Sequence, residues 1–209
     1  GRKLFKFRET MKKFTIHMKG AIAFLITLML LVTPTYAQEA EMHLKFKDIA
    51  ITGSIENFVE QLKSKGYKLL VQTDATAAMT GDFANSNCTI LISATKKTKQ
   101  VYSVVVVYDE SDLWNSLKSD YLNFKKLLTQ KYQVTPRSSE TFSSPYYEGD
   151  GYELQASKLN KCLYYSIYEV PNGEIKLAIL KKRISLLYSD SIGNLTNERE
   201  EKSDALNDL

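Results

Sequence analysis

Histidine is almost missing from this chain. Two occur in 209 residues, His17 and His43. That scarcity excludes a two-histidine zinc site, an HExxH helix and any multi-histidine metal centre. Cysteine is equally sparse, with only Cys88 and Cys162, so no cysteine-rich zinc or disulfide scaffold can form. The chain has no G-x-S-x-G elbow and no glycine loop of the kind that cradles phosphate. It also lacks an apolar run of the ~20 residues needed to span a bilayer. No metal, cofactor or catalytic residue is therefore assigned.

What is present begins near the N-terminus. Met11 opens a basic stretch with Lys12, Lys13 and Lys19, followed by the twelve-residue segment Ala21–Val32 (AIAFLITLMLLV) and then Thr35-Tyr36-Ala37. A basic start, a short apolar middle and small residues at −3 and −1 form a secretory signal peptide. Residues 11–37 are expected to be that leader, cleaved after Ala37, and residues 1–10 to be upstream sequence outside the working protein. The expected location is periplasmic or secreted, with membrane contact only in transit. Residues 1–37 hold seven basic groups and one acidic group, so their removal takes the net charge from +4 to −2. A slightly acidic domain offers no footprint for a phosphate backbone, which argues against nucleic acid as a partner.

Residues 38–190 suit a single domain with a sizeable core. His43–Ile51 alternates as a strand, with a phase change that a bulge near Lys47-Asp48 would absorb. Ser54 reads as the N-cap of a helix bearing Ile55, Phe58, Val59 and Leu62 on one stripe, ended by Gly66. Tyr67–Val71 starts a strand, and Met79–Phe83 is expected to pair with Asn87–Ala94. Val101–Tyr108 (VYSVVVVY) is apolar at nearly every position, the mark of a central strand covered on both faces. A second helix, capped by Ser111, carries Trp114, Leu117, Tyr121, Phe124 and Leu128. Strands are expected at Tyr152–Ser157, Lys161–Val170, Glu174–Leu180 and Ile184–Tyr188, with Pro171-Asn172-Gly173 as a hairpin turn. Residues 191–209 read as a polar, frayed tail. The expected fold is α+β, a mainly antiparallel sheet with two principal helices on one face. Ser54/Ser111, Tyr67/Tyr132 and Asn87-Cys88/Lys161-Cys162 recur in one order, as two β-α-β-β repeats would require.

The string His43-Leu44-Lys45-Phe46-Lys47-Asp48-Ile49-Ala50-Ile51-Thr52-Gly53-Ser54, placed just after a leader ending Tyr-Ala-Gln-Glu, resembles a group of small exported proteins of Bacteroides-type bacteria. Those proteins open with a KF-x-G-I-x-I-x-G pattern, and Asn87-Cys88-Thr89 and the Trp114–Leu128 helix are similar to them too. The resemblance covers most of residues 38–190. Asp48 departs from it, standing where glycine is usual. The resemblance implies an envelope location and carries over no catalytic residue.

Candidate site residues are few. Cys88 and Cys162 are open to two readings, a long-loop disulfide or two buried thiols. A Cys–His pair with His43 would need a thiolate in an apolar strand, which burial disfavours. Asp109, Glu110 and Asp112 read as acids at a strand end and a helix start. The loop SSPYYEGDGYE gathers Tyr146, Tyr147, Glu148, Asp150, Tyr152 and Glu153, aromatic and acidic groups that could grip a sugar. Tyr164 and Tyr168, with Tyr102 and Tyr165, could line a helix-free sheet face as recognition anchors. These point to a non-catalytic envelope module binding protein, peptide or glycan, with a carboxylate-based glycan hydrolase or a structural subunit as alternatives.

Overall fold

The structure, a computed structural model, describes residues 42–207. Among them lie ten strands and four helices in the order β1 (Lys45–Phe46), β2 (Ile49–Ala50), α1 (Ile55–Ser64), β3 (Lys68–Gln72), β4 (Thr76–Phe83), β5 (Ser86–Ala94), β6 (Val101–Val107), α2 (Trp114–Tyr132), β7 (Arg137–Phe142), α3 (Glu153–Lys158), β8 (Cys162–Val170), β9 (Gly173–Leu180), β10 (Arg183–Asp190) and α4 (Ser191–Asn207). The leader and the cleavage point after Ala37 lie outside the described residues.

The phase change at residues 43–51 has a different origin from a bulge. Lys47 and Asp48 both take positive φ, 51° and 65°, and close a two-residue turn between β1 and β2. Both central residues of such a turn need the left-handed region, which aspartate tolerates. The turn brings Leu44, Phe46, Ile49 and Ile51 together as buried neighbours, where a straight strand would have split them between two faces.

The apolar stripe of α1 behaves as its spacing predicts. Ser54 accepts a hydrogen bond from the Asn57 N–H, and Ile55, Phe58, Val59 and Leu62 are buried. The second helix starts later than the Ser111 cap implies. Leu113 occupies the N-cap, the Ser111 hydroxyl only braces the Leu113 backbone, and Asp112 turns away to Lys182. Residues 152–157 were expected as a strand. They form the short helix α3 instead, which leaves β7 at the sheet edge and packs Ala156 into the interior.

Eight strands form one antiparallel sheet in the order β3-β4-β5-β6-β10-β9-β8-β7. The order is symmetrical about the β6–β10 pair, where Val106 faces Leu186 and Val104 faces Tyr188. Each half is a helix followed by four strands, a larger unit than β-α-β-β. The apolar faces of α1 and α2 join one core on the same side of the sheet, with Met79, Ile90, Val104, Val106, Leu177 and Leu186. The other residues of each strand face away from that core.

Two carboxylates close the far end of the domain. Asp190, fully buried at the end of β10, accepts hydrogen bonds from His43 Nδ1 (2.9 Å), the Leu44 N–H (2.7 Å) and the Gly193 N–H (2.8 Å). From there α4 departs. Gly193 lies so close to Tyr102 that an added β-carbon would sit 2.7 Å from the Tyr102 Cβ. One turn pair later, Glu200 accepts from the Lys97 and Thr98 N–H groups and from the Thr98 hydroxyl. The polar tail is thus helical from Ser191 to Asn207, held by hydrogen bonds where apolar surface is scarce.

Removing the Asp190 carboxylate strands a buried imidazole and two backbone N–H groups. Asp190→Ala should cost about 3–5 kcal/mol, read as a lowered urea midpoint. A loss under about 1 kcal/mol would show that this junction is not structurally important.

Candidate functional site

The acidic loop before α3 spends its carboxylates on its own architecture. Glu148 accepts from Trp114 Nε1 (3.0 Å), from Lys118 Nζ (3.0 Å) and, through its other oxygen, from the Tyr164 hydroxyl. Burial pushes its carboxyl up, but the hydrogen bonds from Tyr164, Trp114 and Lys118 outweigh that, and the net displacement is downward. Asp150 accepts from the backbone N–H groups of Tyr147 and Tyr152, an arrangement that closes the turn. Glu153, buried on α3, accepts from the Gly149 N–H. Tyr146 accepts from Gln155, while the rings of Tyr147 and Tyr152 are exposed.

Tyr164 and Tyr168 are not surface anchors. Strand parity turns both toward the helices. Tyr168 is fully buried and donates to the Lys125 carbonyl of α2 (2.8 Å). Tyr164 packs edge-on against Trp114 (5.1 Å) and Tyr121 (5.6 Å). Tyr165, of opposite parity, faces the other side, where Lys176 Nζ sits 5.6 Å from its ring centroid, and Tyr102 lies against Gly193 of α4.

Cys88 and Cys162 are buried free thiols. They sit on β5 and β8, with three strands between them. At ~4.8 Å per strand the separation is about 19 Å, against the ~7 Å limit for a bridge, so the disulfide reading falls. Burial pushes each thiol up to about 11, and His43 is committed to Asp190. That removes the Cys–His pair. No group of three or more His, Cys, Asp or Glu among the described residues could hold a metal ion.

The feature left over is the sheet face turned away from α1 and α2, helix-free except at the one end that α4 crosses. Two cross-strand rows define it. One runs Val71, Ala78, Leu91, Val105, Leu187, Lys176, Ile167, Arg137; the next runs Thr80, Thr89, Val107, Ser185, Ala178, Tyr165, Ser139. Solvated sheet faces usually carry alternating polar residues, but the middle of this one is aliphatic or small. Val71 is 59% exposed, Leu180 49%, Leu91 42% and Leu163 39%. Val105, Val107, Ile167 and Leu187 are half-buried. A hollow of about 520 Å³ opens toward one end, lined by Leu91, Val107, Leu180 and Ser185 and rimmed by Glu110, Asn160, Lys181 and Arg183. At the opposite end α4 leans over the sheet, Asn194 donating to Ser189 and Ser103 lying buried. Ion pairs lie at its margins, Arg137 with Glu169 and Arg183 with Glu110, and its middle is aliphatic. Its chemistry is apolar contact. β6, expected to be covered on both sides, is fully covered only on the helix side among the described residues.

The signal for this face was present in the sequence. Leu91 between Ile90 and Ile92, and Leu187 beside Leu186, break alternation by making both parities apolar. Comparison with protein-family models, with curated proteins and with solved structures finds no match.

The clamp on Glu148 has a spectroscopic reporter, because Trp114 is the single tryptophan. A lowered carboxyl contributes stability above the ordinary glutamate range, and that contribution is lost as pH falls through the lowered value. Trp114 emission should therefore red-shift on acidification below the usual glutamate range. Glu148→Ala should show the shifted emission already at neutral pH and cost about 1–2 kcal/mol. An emission spectrum indifferent to this substitution would refute the clamp.

Proposed function

We propose that this chain is an exported, non-catalytic envelope protein, a binding or accessory module whose helix-free sheet face meets another protein or peptide. The observation that carries the reading is the set of partly exposed aliphatic residues on that face, Leu91, Val105, Leu187 and Ile167 along one cross-strand row and Leu180 and Leu163 toward the strand ends. Patches of this kind on soluble domains mark interaction surfaces. Glycan is the less favoured ligand. Sugar recognition calls for exposed rings with polar groups beside them, and of the proposed tyrosines only Tyr147 and Tyr152 are strongly exposed, both on the loop.

Export is supported by the three-part pattern at residues 11–37 and by the resemblance of the opening near His43–Ser54 to envelope proteins of Bacteroides-type bacteria. No described helix is long and apolar enough to cross a membrane. The hydrolase alternative needs two free carboxylates across a cleft, whereas Glu148, Asp150 and Glu153 are each hydrogen-bonded into the loop. The structural-subunit alternative draws on the same apolar face and differs only in the permanence of the contact.

The native protein should have the intact mass of a chain beginning at Gln38; a species retaining Ala21–Val32 would remove the export reading. In-cell cross-linking should capture the protein through this face, and Ile167→Glu with Leu163→Glu should abolish the cross-links while leaving the melting curve in place. Glycan cleavage that vanishes in Glu148→Gln or Asp150→Asn would overturn the non-catalytic assignment.

A further inference from the structure

Size, shape and charge all bear on what covers the helix-free face. Eight strands at ~4.8 Å spacing give a width of about 34 Å, and six residues of rise add about 20 Å, so the face presents roughly 700 Å². A standard stable interface buries about 800 Å² per partner. α4 occupies one end of that area, so the open sheet together with the exposed side of α4 is close to the size that a specific protein contact requires.

Its charges are sorted along the strands. Glu169 and Glu174 stand at one end of the β8–β9–β10 half, where Arg137 of β7 pairs with Glu169 at 3.1 Å, and Lys181 and Arg183 stand at the other, where Glu110 pairs with Arg183 at 2.9 Å; of these groups one negative charge is left in excess at the first end and one positive charge at the second. Between them, on β9, Lys176 lies over the Tyr165 ring. Relief is sorted the same way. The 520 Å³ hollow lies at the basic end, and α4 rises at the acidic end with Leu195 52% exposed.

Such a surface is complementary to itself when turned end for end. An isologous contact requires one patch to match its own copy under a two-fold axis. An axis lying between two sheets and running across the strands sets the acidic end of one copy over the basic end of the other. The same operation brings each α4 toward the opposing hollow and stacks the two aliphatic centres. Two copies of one sheet also share the same twist, which suits aligned face-to-face packing about 10 Å apart.

We propose that the partner for this face is a second copy of this chain, packed sheet against sheet in that reversed sense. The proposal rests on the reading of the helix-free face as the binding surface, and names its occupant.

Sedimentation equilibrium on the full-length chain, expressed with its leader in an exporting host, should give a dimer. Leu91→Lys and Leu180→Lys replace side chains already exposed in the single copy, so both variants should keep the wild-type circular dichroism and melting curve. Each should weaken self-association at least ~30-fold, as loss of an apolar anchor does. Glu174→Lys should weaken it as well, and raised salt should weaken the wild-type dimer. A wild-type protein that stays monomeric up to its solubility limit overturns the proposal, as does a dimer equally tight in both leucine variants. If the wild type is monomeric yet Leu91→Lys removes cross-links to a different envelope protein, self-association falls while the interaction-surface reading stands. If neither dimer nor cross-link depends on Leu91 or Leu180, both fall.

Discussion

The buried carboxylate of Asp190 is the constraint on which the ends of this domain depend. It is the last residue of β10, a central strand, and it receives hydrogen bonds from two residues before β1 begins and from the first turn of α4. A bare carboxylate with no solvent access is costly unless every lone pair is engaged. Here three donors converge on it, and the cost of burying it selects one arrangement of the three segments. The β1–β2 hairpin then lies where Phe46 can stack on Phe83 and meet Tyr188 edge-on, and the first helix follows from it directly. At the other end of α4, Glu200 repeats the device on the Lys97–Thr98 turn.

Much of the fold was legible in the sequence because its signals are local. The Ile55, Phe58, Val59, Leu62 stripe and the Trp114 to Leu128 repeat identify two helices whose apolar faces need a common sheet. In β5 and β10 the buried side is marked by apolar residues at every second position, Cys88, Ile90 and Ile92 in one and Ile184, Leu186 and Tyr188 in the other. What could not be read locally was decided by distant partners. The stretch from Glu153 to Lys158 has a strand-like look, yet it is a helix that buries Ala156 and braces the Lys182 turn through Ser157. The tail lacks an apolar stripe, and its helix is held by a glycine approach and a glutamate clasp that no periodicity reveals.

The candidate site was less legible, and for a physical reason. In KCLYYSIYEV every position suits a strand, so composition cannot say which tyrosines point inward. Register decides it, and register comes from pairing with β9 and β7. A shift by one would have put Tyr165 inside and Tyr164 and Tyr168 outside. The loop acids misled in another way. Glu148, Asp150 and Glu153 look like free carboxylates on a mobile loop, but backbone N–H groups and Trp114 claim them. The aliphatic positions on the second face, Leu91 and Leu187 among them, were visible as broken alternation and were outweighed by the more familiar signal of clustered acids and aromatics.

The meeting of residues 43 and 190 at one carboxylate also has a mechanical meaning. A chain tethered by its N-terminal residues would deliver tension first to the His43–Asp190 contact, and through Asp190 to the end of β10. The β1–β2 hairpin follows next along the chain, so pulling from that end peels it only after the Asp190 contacts have broken.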